Sequence, residues 1–171
     1  ENGETQATTT DIIKQASEKW PDVIRIGREP KPGTAYALDA ALKMVDSDTV
    51  YMTKNDSDDI FYKDREKNRV AVFQKLPDSV TIVYDDFLQL IYEPRPFVQP
   101  VILPPYDYRR YLEESFIHGN SMWRASVFER WGGPLKESFV YDGYDNPKGA
   151  NYHGEDLNLW LAITDFSDAF H

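Results

Sequence analysis

The chain contains no cysteine. That excludes a disulfide framework and any zinc–thiolate centre, and it fits a reducing compartment, so cytoplasmic residence is the expectation. Long apolar runs are lacking as well. Nothing approaches the roughly 20 residues a bilayer-spanning helix needs, and the N-terminus carries no signal-peptide pattern. Positive charge is scarce: 19 Lys and Arg stand against 29 Asp and Glu, for a net charge of −10. A protein that grips a nucleic-acid backbone usually presents a basic face. Nucleic acid is therefore not an expected partner, and any anionic ligand must be met locally, by a cation, a helix end or a few Arg side chains.

What is present is enough for one folded domain, since 171 residues with 41% hydrophobic and 14% aromatic content can bury a core. The first half alternates. "TTTDIIKQASEKW" (8–20) places Ile12, Ile13, Ala16 and Trp20 at helical spacing behind capping Thr residues. "DVIRIG" (22–27) predicts a strand, "KPGTAYALDAALKMV" (31–45) a helix and "TVYMTK" (49–54) a strand. "FYKDREKNRVAVFQKL" (61–76) predicts a helix and "SVTIVYDD" (79–86) another strand. Such alternation predicts an α/β layered fold with a largely parallel sheet.

The second half is less regular. "EPRPFVQPVILPPYDY" (93–108) holds five of the eleven prolines, which excludes an interior helix and predicts an extended surface run. Short helices are expected over 108–116 and over "RASVFERWGG" (124–133), the latter stopped by Gly132 and Gly133. "YDGYDNPKGANYHG" (141–154) is loop chemistry, and "EDLNLWLAITDF" (155–166) returns to helical spacing. No internal repeat or domain linker is visible.

Acidic clusters carry the chemical argument. "KNDSDDIF" sets Asp56, Asp58 and Asp59 behind a predicted strand, where their charges repel one another. An Asp-rich turn explains this through backbone capping, and a bound hard cation explains it through oxygen coordination. An EF-hand is excluded, because its fifth, sixth and twelfth positions counted from Asp56 are Ile60, Phe61 and Lys67. Position favours a ligand, since ligands of open α/β sheets collect at the carboxyl ends of strands. Asp46 and Asp48 precede the strand and read as a turn. Glu155 and Asp156 open a predicted helix after a Gly-rich loop; they suit the helix dipole, and a carboxylate there also suits a general base.

The order of these features resembles family 2 glycosyltransferases of the GT-A fold. "KPGTAYALDAALKMVDSDTVYMTKNDSDDIF" is similar to that family's helix and strand ending in Asp-Ser-Asp-Asp. "FIHGNSMWRASVFERWGGPLKES" is similar to its extended segment and Arg-containing helix, and "HGEDLNLWLAI" to its Glu-Asp helix. The resemblance implies a Rossmann-related, three-layer α/β/α fold with a mostly parallel central sheet. It implies Asp56 toward the donor ribose, Asp58 with Asp56 on a Mn²⁺ or Mg²⁺ ion that holds the pyrophosphate, Asp156 as catalytic base, and Glu155 orienting acceptor or base. The implied partners are a nucleotide-diphosphate sugar and a glycan or lipid-linked acceptor.

Other residues stay open. Arg124 suits phosphate oxygens, or else an exposed helix. His118 suits the metal or the diphosphate and His153 the donor or the acceptor, or else plain structural roles. Tyr141 and Tyr144 suit acceptor contact, whereas Trp123, Trp131 and Trp160 read as core. The resemblance also implies that the chain opens within the second strand-to-loop turn of the family, with Asn2 and Gln6 where Asp is frequent. The expectation is one N-terminally truncated domain, with 1–60 the remainder of the nucleotide-binding half and 61–171 the acceptor side; peripheral membrane association would then come from regions outside the chain. Two readings compete with the enzyme: a non-catalytic carbohydrate- or partner-binding relative, and a nucleotidyltransferase.

Overall fold

A computed structural model describes residues 8–30, 34–57, 59–92, 94–114, 116–117 and 119–127. The chain divides into two compact units, Glu1–Ser47 and Asp48–His171.

In the first unit, α1 spans Thr9–Lys19 and is opened by a capping box. The Thr8 hydroxyl accepts from the Asp11 N–H at 3.2 Å, and the Asp11 carboxylate accepts from the Thr8 N–H at 3.0 Å. These reciprocal bonds satisfy two helix-end groups that have no intrahelical partner. The Thr8 hydrogen bonds also hold the Asp11 carboxyl below its usual range. α2 spans Thr34–Leu42, the Ala-rich stretch of high helix propensity. A Cβ at Gly27 would stand 2.6 Å from the Met44 Sδ, so any larger residue there would have to displace the Met44 side chain. The segment 22–27 is not the strand that its alternation predicts. The Val23 and Ile24 N–H groups both donate to the Trp20 carbonyl, at 3.1 and 2.9 Å, so the chain turns after Pro21. No described strand pairs with it, and an unpaired extended run does not make a sheet.

The second unit begins with β1 (Tyr51–Thr53), α3 (Arg65–Phe73) and β2 (Ile82–Val83). β3 (Phe87–Ile91), β4 (Phe97–Val101), α4 (Tyr108–Glu114) and β5 (Met122–Arg124) follow. β5 lies between β1 and β2 and runs antiparallel to both, pairing Met52 and Ile82 with Trp123. Phe73, Val83 and Met122 pack together under this sheet, and Trp123 is 2% exposed, in keeping with its reading as core. The Tyr51 ring stacks on Phe73 with centroids 5.0 Å apart. Burying each such side chain is worth about 1.5–3 kcal/mol.

The expected mostly parallel sheet is corrected here: every described ladder is antiparallel. β1 and β2 do run in the same direction, as a strand–helix–strand pattern predicts, but β5 enters between them and takes both ladders. One further correction concerns a single segment. Arg124 ends β5 rather than opening a helix. The proline-rich run contributes β4, hydrogen-bonded to β3 in a two-stranded sheet with Leu90 opposite Val98. Pro100 fits there because β4 is an edge strand, where a missing N–H is tolerated.

Candidate functional site

Beyond β1 the chain turns, with the Asp59 N–H donating to the Asp56 carbonyl at 3.3 Å. Asn120, just before β5, organises this turn. Its Oδ1 accepts from the Asp56 N–H at 3.2 Å, and its Nδ2 donates to the Asp59 carboxylate. The Asn120 carbonyl in turn accepts from Arg69 Nη1 at 2.6 Å. Arg69 projects from α3, is 6% exposed, and grips Asp85 in a two-pronged pair whose Nη2–Oδ2 arm is 2.8 Å. A guanidinium held by two oxygens of one carboxylate is rigid as well as strongly bonded. Asp85, Arg69 and Asn120 therefore form a chain of bonds from the end of β2 to the Asp turn.

The Asp56 carboxylate remains open. Its side chain is 44% exposed, with the Lys54 Nζ 3.4 Å from Oδ1. Arg65 supports the same turn, donating from Nη2 to Asn55 Oδ1 at 2.6 Å while its guanidinium lies 4.0 Å from the Phe61 ring centre. The turn brings the Asp59 carboxylate to Asn120, whereas Asp56 meets Asn120 through its backbone N–H. Among the described residues no three His, Cys, Asp or Glu side chains converge as a metal cage. Of the expected metal pair Asp56 and Asp58, only Asp56 is described, and its open carboxylate offers the oxygen chemistry that a hard divalent cation takes.

The other sequence candidates divide clearly. Arg124 pairs with Tyr51 at the opposite end of the ladder from Asp56. Its guanidinium is committed to the fold: Nε donates to the Val80 carbonyl at 2.9 Å, Nη2 to the Phe73 carbonyl at 3.2 Å, and the group lies 4.9 Å from the Phe73 ring centre. It thereby caps the end of α3. Asp46 is taken up by an exposed ion pair with Arg25, whose hydrogen bonds hold its carboxyl below the usual range. Asp58, His118, Tyr141, Tyr144, His153, Glu155 and Asp156, with Trp131, Trp160, Asn2 and Gln6, lie outside the described residues.

Sequence reasoning passed over Arg69, Asp85 and Asn120. The signal for Asp85 was in reach, because "YDD" (84–86) ends a predicted strand as the Asp cluster does. Nothing in the sequence connects Arg69 to Asn120, since that bond depends on β5 entering the sheet.

A cleft of about 1060 Å³ adjoins this network, between the start of α3, the end of β2 and residues 103–106. The Tyr84 hydroxyl donates to the Pro104 carbonyl at 2.8 Å and pins one wall. Burial raises the Tyr84 phenol above its ordinary range. It pushes Tyr106 up to about 12, with Tyr108, Asp107 and Tyr84 adding to the shift. Both phenols thus stay protonated donors at neutral pH.

No curated protein and no solved structure matches the chain. The family profile described as Glycosyl transferase family 2 matches residues 2–132, more than half of the chain, and covers the Asp turn, α3 and β5. With that match the chain belongs to the family 2 glycosyltransferases, whose fold is the GT-A α/β fold and whose general role is glycosyl transfer from a nucleotide-sugar donor to an acceptor.

Proposed function

We propose that this chain serves a metal-dependent, inverting transfer of a sugar from a nucleotide diphosphate to a glycan or lipid-linked acceptor. The observation that carries the reading is the Asp56 carboxylate, part-exposed past the end of β1 on a backbone tied to Asn120. A part-exposed carboxylate on a tied turn suits a ligand better than it suits the core. Asp56 would meet the donor ribose and, with Asp58, hold Mn²⁺ or Mg²⁺. Such a cation, when bound, neutralises charge on the departing nucleoside diphosphate.

The remaining tasks fall to protein side chains. Asn120 fixes the Asp56 backbone, which pre-organises the carboxylate before any ligand arrives. Lys54 tempers the negative charge of Asp56 and lowers the cost of holding it open. From the resemblance, Asp156 takes the proton of the acceptor hydroxyl as that oxygen attacks the anomeric carbon, Glu155 orients acceptor or base, and His153 contacts the donor. Arg124 is assigned to the sheet, where Val80 and Phe73 already occupy it.

Thermal-shift measurements with UDP, GDP and dTDP test the reading. Mn²⁺ and one nucleotide together should raise Tm more than either alone, and Asp56→Asn should remove the joint effect. An equal joint shift in the variant would overturn the assignment of Asp56. Asp156→Asn should lower transfer by roughly 10²-fold or more, in line with general-base contributions, while nucleotide affinity stays within a few-fold. Transfer at the parent rate would remove Asp156 as the base.

A further inference from the structure

The cleft beside the Asp turn has a volume of about 1060 Å³. That is just above the ~300–1,000 Å³ typical of small-molecule sites. A space of this size suits an oligosaccharide better than a single sugar ring.

Its charge lining is balanced. Lys63, Arg65 and Arg69 face Asp64, Asp85 and Asp86, three cations against three anions. Two of the cations are already engaged: Arg69 by Asp85, and Arg65 by Glu66 and Asn55. A phosphate-bearing ligand would find little uncommitted positive charge here, so a neutral, polar ligand is the better match.

The uncharged lining fits that class. Tyr62, 70% exposed, lines the cleft together with Tyr84 and Tyr106, which stand half-buried. Tyrosine offers an apolar ring face with a hydroxyl at its rim, which matches the apolar faces and hydroxyl edges of a sugar. Asn68 is exposed on α3, and Asp64 at the helix start makes no capping hydrogen bond with its side chain. Together they supply donors and acceptors for hydroxyl groups. The aromatic wall is braced from behind. Tyr106 packs on Tyr111 at 6.4 Å between ring centres, Tyr111 on Phe116 at 5.5 Å and Phe116 on Tyr84 at 6.1 Å. Bracing of this kind lowers the ordering cost of binding.

From these features we infer that the cleft holds a neutral saccharide and is the acceptor subsite, with Tyr62, Asn68 and Tyr106 as its contact residues. The inference deepens the glycosyl-transfer reading above and rests on it for the identity of the occupant. Arg65 supplies the spatial link: it lines the cleft and bonds Asn55, the neighbour of Asp56. A saccharide in the cleft would therefore lie beside the turn proposed to face the donor.

Isotope-edited NMR of the full chain tests this, with maltotriose, cellotriose, chitotriose and lactose at millimolar concentration as probes. At least one should move the amides of Asn68, Asp86 and Tyr106 while leaving those of α1 in place. The double variant Tyr62→Ala, Asn68→Ala changes two exposed positions and should stay folded, yet weaken that response at least ten-fold. Tyr106→Ala should weaken it again, with the unperturbed amides reporting an intact fold. If none of the four saccharides moves the cleft amides, or the double variant responds like the parent, the inference is overturned. Movement of the same amides by UDP with Mn²⁺ would also overturn it, since the cleft would then be a nucleotide site. A saccharide response in a chain that fails to bind any nucleotide would uphold the cleft and remove the donor reading instead.

Discussion

Among its described residues the second unit contains two sheets built on different terms. In β1–β5–β2, Met52 pairs with a residue some seventy positions later, and Ile82, Met122 and Trp123 are buried. In β3–β4, Leu90 pairs with Val98 only eight residues on, and Leu88, Leu90, Phe97 and Val98 are all more than 40% exposed. A hairpin closes a short loop and forms readily, but two strands alone cover neither face. A three-stranded sheet against α3 closes longer loops and recovers that cost through burial. The proposed site follows the second kind. Asp56, Asn120 and Asp85 lie just past the ends of strands that the long-range sheet unites, and Arg69 reaches Asn120 and Asp85 from the middle of α3.

Substitutions can break this contrast, beginning with the sheet's centre. Trp123→Ala should destabilise the chain by about 3–5 kcal/mol, the usual cost of a large aromatic lost from a core, as read by urea denaturation. A cost as small as that of a hairpin substitution would mean that β5 does not organise the unit.

Arg69→Leu tests the tie from the sheet to the Asp turn. The change leaves the Asn120 carbonyl and the Asp85 carboxylate without their guanidinium, which should cost about 1–3 kcal/mol. The lower half of that range is expected, because the Asp85 side chain is 40% exposed and water can replace part of the pairing. Amide exchange at Asp56 and Asp59 should quicken beyond the global loss of stability. Exchange that merely follows global stability would make Arg69 a packing residue only.

Alkaline titration probes the segment after the hairpin. The Tyr106 phenol sits at about 12 in the folded chain against an ordinary 10.0. A folded-state value above the unfolded one gives stability that is full below pH 10.0 and is lost as pH climbs toward 12. Tyr106→Phe should flatten that decline, with phenolate absorbance reporting one fewer late-titrating group. An unchanged alkaline profile would place the cause elsewhere. The smallest effect should come from Leu90→Ala, at 43% exposure, which should stay within about 0.5 kcal/mol. A larger loss would show that the hairpin face is buried against something.

Legibility in the sequence followed the same division between near and far. α1 was readable from Thr8 and the Ile12–Ile13–Ala16 spacing, because a capping box and a helical period involve residues within a turn or two. α3 and β1 were readable for the same reason, as was the Asp turn beyond β1. Arg124 was misplaced because "RASVFERW" has helical composition, and only pairing with Tyr51 and Thr81 draws its first residue into a strand. The parallel expectation failed likewise: alternation along the chain gives strand direction for β1 and β2, but nothing local reports that a later strand inserts between them.

By itself the sequence determined where α1 to α4 form, the Asp turn beyond β1 and the family, because capping, periodicity and ordered motifs are properties of neighbouring residues. The tertiary structure alone decided which strand divides β1 from β2, that Arg124 serves the sheet, and that Arg69 and Asn120 tie Asp85 to the Asp turn. Those outcomes depend on burial and hydrogen-bond satisfaction between segments far apart in the chain. Local composition leaves such pairings degenerate, and only the closing of the core selects among them.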